Sequence, residues 1–273
     1  MAGAGGIPEP DPQLPAVSAP GMLWRLGEHR LFVGDAMAQA SCETLLRQDD
    51  RALEQVDMAF TDPPYNVPIE GHVSGLGAIR HLKTAFRLMA RVSRDGAIHF
   101  VCMDWRRMGE VLEAAKDVYA ELKNLCIWNK DNAGMGSLYR SKHELVFVFK
   151  NGAAPHVNHV ELGAKGRYRT NVWDYPGVNS FGDGHADLEM HPTVKPVALI
   201  ADAIRDCSNR QGIVLDPFGG SGSTLIAAER TGRKARLIEI DAHYADTIVR
   251  RWQALTGGEA ADVASGRTYP RCG

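Results

Sequence analysis

Seven short runs of apolar, β-favouring residues recur along the chain: "HRLFVGD" (29–35), "VDMAFTD" (56–62), "AIHFVCM" (97–103), "NLCIWNK" (124–130), "ELVFVFK" (144–150), "GIVLDPF" (212–218) and "ARLIEID" (235–241). Their apolar character is continuous rather than alternating, which marks strands buried on both faces. Helical patterns separate most of them. In "DWRRMGEVLEAAKDVYAEL", Asp104 is placed to cap the first turn, and Trp105, Met108, Val111, Leu112, Ala115 and Tyr119 share one stripe. "PVALIADAIRDCS" and "TLIAAERTG" repeat the logic, with Gly232 as the C′ residue. Such alternation predicts an α/β fold built on a doubly wound, mostly parallel sheet of seven strands. One pair breaks the pattern. "NLCIWNK" and "ELVFVFK" are joined by the glycine-rich "DNAGMGSLYRSKH", too short for a crossover helix, so they are expected to form an antiparallel hairpin at one edge.

With 273 residues, the chain has room for one large domain with a full core. Its formal charge of −2 gives no global sign of a polyanionic partner, so any nucleic-acid surface must be a local patch. The five cysteines form no CxxC pair, which argues against a disulfide framework or zinc ribbon and suits a reducing cytoplasm. His156 and His159 make an HxxH without the companions of a metal site. No apolar stretch approaches the roughly 20 residues that span a bilayer, and the N-terminus lacks a signal-peptide core. The expected organisation is a flexible tail over 1–22, a folded body over 23–256 and a second flexible tail over 257–273. Within the body, 151–190 has no strong periodicity and stands as an insert of the kind that carries recognition.

Two strand ends carry chemistry, and ligands of open α/β sheets bind beyond the carboxyl ends of strands. The first is "TDPPY". Asp followed by two prolines is a common turn. It is also a means of holding two hydrogen-bond acceptors, the Asp62 carboxylate and the Pro63 carbonyl, against the two N–H groups of a nucleobase amine. The prolines, Pro63 and Pro64, have no N–H and fix φ, and Tyr65 offers a ring face for stacking. The second is "LDPFGGSGST". No lysine follows Gly222, so it is not a P-loop, and Leu225 stands where a dinucleotide fingerprint needs its third glycine. A turn that binds S-adenosylmethionine needs neither. Glu239 lies about twenty residues on, where an acid can meet ribose hydroxyls.

DPPY followed much later by DPFGGSG resembles the amino-methyltransferases of DNA, and the order of the motifs is similar to that of the beta class. "GSLYRSKHELVFVFKNG", "RTNVWDYPGVNSFG" and "HPTVKP" are most similar to the bacterial and phage adenine methylases that accompany ParB-like domains, although this sequence has no ParB-like segment. The resemblance covers most of residues 24–252. It implies a Rossmann-like, S-adenosylmethionine-dependent methyltransferase fold with S-adenosylmethionine as cofactor and double-stranded DNA as partner. Catalysis is then expected from Asp62, Pro63, Pro64 and Tyr65. Cofactor binding is expected from Asp35, Thr193, Lys195, Asp216, Phe218, Gly219, Gly220, Gly222 and Glu239, with Thr193 and Lys195 toward the methionine carboxylate. A homodimer is also implied. The connection after DPPY is shorter here than the family's usual segment.

The target base must leave the duplex to reach such a site. Basic residues cluster between 140 and 170, and Arg140, Lys142, Lys165, Arg167 and Arg169 are the candidates for DNA contact. The expected function is methyl transfer to N6 of a flipped-out adenine. N4-cytosine methylation is the alternative that shares every motif, and a catalytically silent, cofactor-binding DNA regulator is the alternative from another class. C5-cytosine chemistry is excluded, since no Pro-Cys nucleophile pair occurs.

Overall fold

A computed structural model describes residues 15–48, 52–64, 76–164, 166–177 and 194–271. In chain order the elements are β1 (Leu23–Leu26), β2 (His29–Val33), α1 (Gln39–Leu46), β3 (Val56–Thr61), α2 (Leu76–Val92), β4 (Ser93–Met103), α3 (Met108–Ala115), β5 (Glu121–Gly134), β6 (Ser141–Lys150), β7 (Val172–Asp174), α4 (Val197–Cys207), β8 (Ile213–Asp216), α5 (Ser223–Thr231), β9 (Lys234–Glu239), α6 (Ala242–Thr256) and β10 (Ala260–Asp262).

The strands form one sheet in the order β10-β1-β2-β9-β8-β3-β4-β6-β5-β7. Its centre, β2-β9-β8-β3-β4, is parallel throughout. Between β3 and β8 the connections leave in opposite directions, β3 toward β4 and β8 toward β9. That is a topological switch point, where the loops splay apart and open a crevice.

Successive residues of β3 show why the apolar runs are continuous. Met58 and Phe60 belong to a core cluster that includes Leu199 and Ile204 of α4, Leu225 of α5 and Trp252 of α6. Ala59, between them, belongs to a second cluster with Leu45 of α1, Phe86 of α2 and Val111 of α3. Helices therefore cover both faces, and each strand residue finds an apolar neighbour whichever way it points.

Several expectations need correction. The described residues form ten strands, not seven, because β1, β7 and β10 contain only four, three and three residues, too few to leave a period in the sequence. The β5–β6 hairpin is antiparallel as expected, but it is not the edge, since β7 adds to β5 in parallel through Ile127↔Val172 and Trp128↔Trp173. The segment after Asp104 is capped as expected, the carboxylate accepting from Arg106 N at 2.9 Å, yet its helix stops at Ala115 and leaves Trp105, Met108 and Leu112 exposed. Neither tail is wholly loose. Val17 N and Ser18 N donate to Asp246 at 2.8 and 2.9 Å, and β10 pairs with β1 while Tyr269 packs edge-on to Trp24.

Candidate active site

The parallel centre places four acidic residues around the crevice. Asp62 follows β3, Asp216 ends β8, Glu239 ends β9, and Asp35 follows β2 by two residues. All lie at the carboxyl ends of adjacent strands.

Asp216 braces the crevice instead of facing it. Its Oδ1 accepts from Thr61 Oγ1 at 3.1 Å and Phe218 N at 3.1 Å, and Oδ2 accepts from Thr224 Oγ1 at 2.6 Å. It is buried, which pushes its carboxyl up to about 7 against the pull of these donors. The expectation that Asp216 meets the cofactor is therefore replaced by a structural role, in which it ties the end of β3 to the start of α5.

The glycine turn between β8 and α5 is shaped by backbone constraints. Gly219 N donates to Ile238 O at 2.8 Å, and Gly222 N donates to Gly219 O at 2.8 Å. Gly222 has φ +85°, and a Cβ there would lie 2.9 Å from Ile248, so the position needs glycine on both counts. Gly220 has φ +51°, and a Cβ there would meet nothing nearer than Phe218 O at 3.9 Å. Its outer side is open. Glu239 closes the other wall, with Oε2 accepting from Gly220 N at 2.6 Å and Oε1 from Asp241 N at 2.9 Å. Burial raises its carboxyl above the usual range.

Asp35 accepts from Met37 N at 2.8 Å in a local turn. Phe218 faces His81 of α2, with ring centroids 6.4 Å apart. His81 Nε2 is enclosed and has no hydrogen-bond partner among the described residues. Burial lowers its pKa, while the charge of Asp35 acts in the opposite direction. Ile240, directly after Glu239, is 68 % exposed in a region of otherwise buried strand. An open glycine turn, a carboxylate, an aromatic face and an exposed isoleucine suit a nucleoside with a small polar tail, and these residues fit S-adenosylmethionine.

Asp62 sits beside a buried lysine. Lys195 Nζ lies 2.5 Å from Asp62 Oδ2 and 2.8 Å from Glu144 Oε1, the second an ion pair off the hydrogen-bond line. Lys130 Nζ reaches Glu144 Oε2 at 3.3 Å. The Trp128 ring lies under both ammonium groups, 4.3 Å from Lys130 and 5.9 Å from Lys195. Cys102 Sγ and an oxygen each from Asp62 and Glu144 all fall within 4.8 Å of one another. Burial works against the charge on Lys195, but Asp62 and Glu144 outweigh it and hold the ammonium well above its ordinary pKa. Burial pushes Asp62 up to about 6, Lys195 opposes it, and Glu144 adds to it. In Glu144 burial is outweighed by Lys195 and Lys130, which keep it below the usual carboxylate range. The second oxygen of Asp62, Oδ1, is enclosed without a partner among the described residues. Pro63 is buried and Pro64 exposed.

Tyr65, Lys165 and Thr193 lie outside the described residues. Lys195 is committed to two carboxylates, so it is not the free lysine expected to meet the methionine carboxylate. Arg167 and Arg169 are also committed. Arg167 Nη2 donates to Asp206 Oδ1 at 2.6 Å, Arg169 Nε donates to Asp206 Oδ2 at 3.0 Å, and Arg169 Nη1 donates to Tyr175 OH at 3.0 Å. They fasten the 167–175 segment onto α4, a correction to their reading as DNA contacts. Arg140 and Lys142 remain exposed at the β5–β6 turn, beside Met135, Leu138 and Tyr139, which are more than 80 % exposed.

Glu144, Lys130, Trp128, His81 and Ile240 were not found from the sequence. Glu144 offered a signal, as a lone acid at the head of the apolar run "LVFVF". Its partner Lys130 is 14 residues away, and only the hairpin register, Trp128↔Glu144, makes them neighbours.

A parallel sheet with its switch point at β3/β8, and a glycine turn and strand-end acids around that point, define the S-adenosylmethionine-dependent methyltransferase class. Comparison with known proteins narrows this. The N6_N4_Mtase family model, DNA methylase, matches residues 56–250, and the chain belongs to that family. It is 27 % identical over 248 residues to the DNA adenine methyltransferase YhdJ of Escherichia coli, covering 77 % of this chain and 81 % of that protein. Among solved structures, the DNA modification methylase TTHA0409 of Thermus thermophilus, in complex with S-adenosyl-L-methionine, gives a TM-score of 0.62 at 24 % identity, covering 88 % of this chain and 100 % of that one. The cytosine-N4-specific PvuII DNA methyltransferase gives 0.61 at 17 % identity, covering 82 % and 92 %. No helix among the described residues is long and apolar enough to cross a membrane.

Proposed function

We propose that this DNA methylase transfers a methyl group from S-adenosylmethionine to N6 of an adenine flipped out of duplex DNA. The observation that carries the reading is the asymmetry of Asp62, whose Oδ2 is held by Lys195 while Oδ1 is enclosed and open to a donor. An exocyclic amine needs such an acceptor, because its lone pair is delocalised into the ring. Asp62 Oδ1 and the Pro63 carbonyl accept its two N–H groups, draw the nitrogen toward tetrahedral geometry and free the lone pair. Bound S-adenosylmethionine supplies a methyl group already activated by its sulfonium. Glu239, the open side of Gly220, Phe218 and His81 are the residues that would hold it. Asp62 then receives the proton that the amine loses after attack, and its raised pKa suits it to do so near neutral pH. Alignment is the remaining contribution of the protein.

Adenine is favoured by DPPY and by the adenine-methylating relative, and N4-cytosine remains the second reading because the PvuII enzyme shares the fold. The test is single-molecule long-read sequencing of DNA from a methylation-free host expressing the chain or its Asp62→Ala variant. One motif carrying N6-methyladenine only with the intact chain is the expected result. N4-methylcytosine would replace the adenine reading, and no modification would overturn both.

A further inference from the structure

We propose that Glu144 is a positioning residue for methyl transfer, holding the Lys195 ammonium so that Asp62 is fixed with one oxygen paired and the other open. The inference rests on the methyl-transfer reading of Asp62. Its basis is geometric. Lys195 is 7 % exposed, and its ammonium stands between two carboxylates that reach it from different elements, Asp62 after β3 at 2.5 Å and Glu144 on β6 at 2.8 Å. Glu144 is itself fixed by Lys130 on β5 at 3.3 Å, above the Trp128 ring.

A buried ammonium with a single carboxylate partner would centre on it and weaken it as an acceptor for anything else. A second carboxylate on the far side divides the ammonium's hydrogen bonds and its field. Asp62 then keeps a fixed orientation and enough charge to accept a substrate N–H. The charged and titratable groups around Asp62 are few. Lys195 precedes α4, Glu144 lies on β6, Lys130 on β5, Asp216 on β8 and Cys102 on β4. Burial keeps the Cys102 thiol neutral, and Asp216 is tied to Thr61 and Thr224. Glu144 is thus the group whose loss would change the share of Lys195 that Asp62 receives.

The test uses the full chain with Glu144→Gln, which keeps shape and removes charge, and Glu144→Asp, which keeps charge. Carboxyl 13C titration, with Asp62 assigned by its loss in Asp62→Asn, is expected to show the Asp62 midpoint lower by about one pH unit in Glu144→Gln. Methylation of the motif found by sequencing is expected to lose about tenfold to a hundredfold in kcat, with KM for DNA and Kd for S-adenosylmethionine unchanged. The acid limb of the kcat profile should move to lower pH with the titration midpoint, and Glu144→Asp should recover part of kcat. A folded Glu144→Gln protein with an unmoved Asp62 midpoint would overturn the proposal, and so would a loss confined to KM. If the unsubstituted chain methylates no DNA, the functional reading fails, whereas the titration still decides whether Glu144 governs Asp62.

Discussion

At the scale of residues, the strand-end acids do unlike work despite their like positions. Asp62 keeps an oxygen open, Glu239 holds the glycine turn through two backbone amides, and Asp216 spends both oxygens on Thr61, Phe218 and Thr224. Asp216 has a consequence for stability. Its carboxyl lies near 7 in the folded chain, above its ordinary value of 3.8, so the folded state holds a proton that the unfolded state releases as pH rises. Its contribution is therefore fully present below about pH 4 and is lost as pH rises through 7. Asp216→Asn should flatten part of the fall in Tm between pH 5 and 8, which thermal melts across that range would check; an unchanged slope would count against a raised Asp216. None of this distinction is written in the motif. "LDPFGG" marks an acid at a strand end, but whether that acid faces a ligand or its own helix depends on Thr61, 155 residues away.

At the scale of elements, the central strands were legible because both their faces are buried, and the motifs at their ends came with them. α2 was also there to be read. Leu82, Ala85, Phe86 and Met89 repeat at three and four residues and are all buried, although by length alone the connection after DPPY reads as merely short. The helix occupies its second half and brings His81 to Phe218. Ion pairs between elements were not legible. Arg236 on β9 meets Glu54, in the segment before β3, through Nε–Oε2 at 2.6 Å and Nη2–Oε1 at 2.8 Å, with side chains 4 % and 7 % exposed. Breaking a buried pair strands the remaining charge, so Glu54→Ala should cost about 3–5 kcal/mol in urea unfolding. Glu54→Gln should cost less, since the amide oxygen still accepts. Equal, small losses would show that water replaces the carboxylate.

At the scale of the whole molecule, the chain closes its sheet with residues that composition suggested would be loose. β10 pairs with β1 at Trp24↔Asp262 and Leu26↔Ala260, and Tyr269 stands 5.4 Å from the Trp24 ring at an interplanar angle of 72°. Tyr269→Ala should therefore lower stability by about 3 kcal/mol, a cavity cost beside a fully buried tryptophan. Ending the chain at Gly257 should lower Tm further and promote association through the bare edge of β1, readable by calorimetry and light scattering. A melt unchanged by either alteration would mean that β1 is secured from within. The sequence by itself determined the alternation of buried strands with helices, the strand ends that carry Asp62 and the glycine turn, and the resemblance to DNA amino-methyltransferases. These are local features, set by periodicity and by the backbone freedom of glycine and proline. Only the tertiary structure decided which charges meet. Lys195 is 133 residues from Asp62 in the chain, and Arg167 and Arg169 could be read as a DNA surface until Asp206 was found beneath them. Charge acts through space, and the distances that set its strength exist only after the chain has folded.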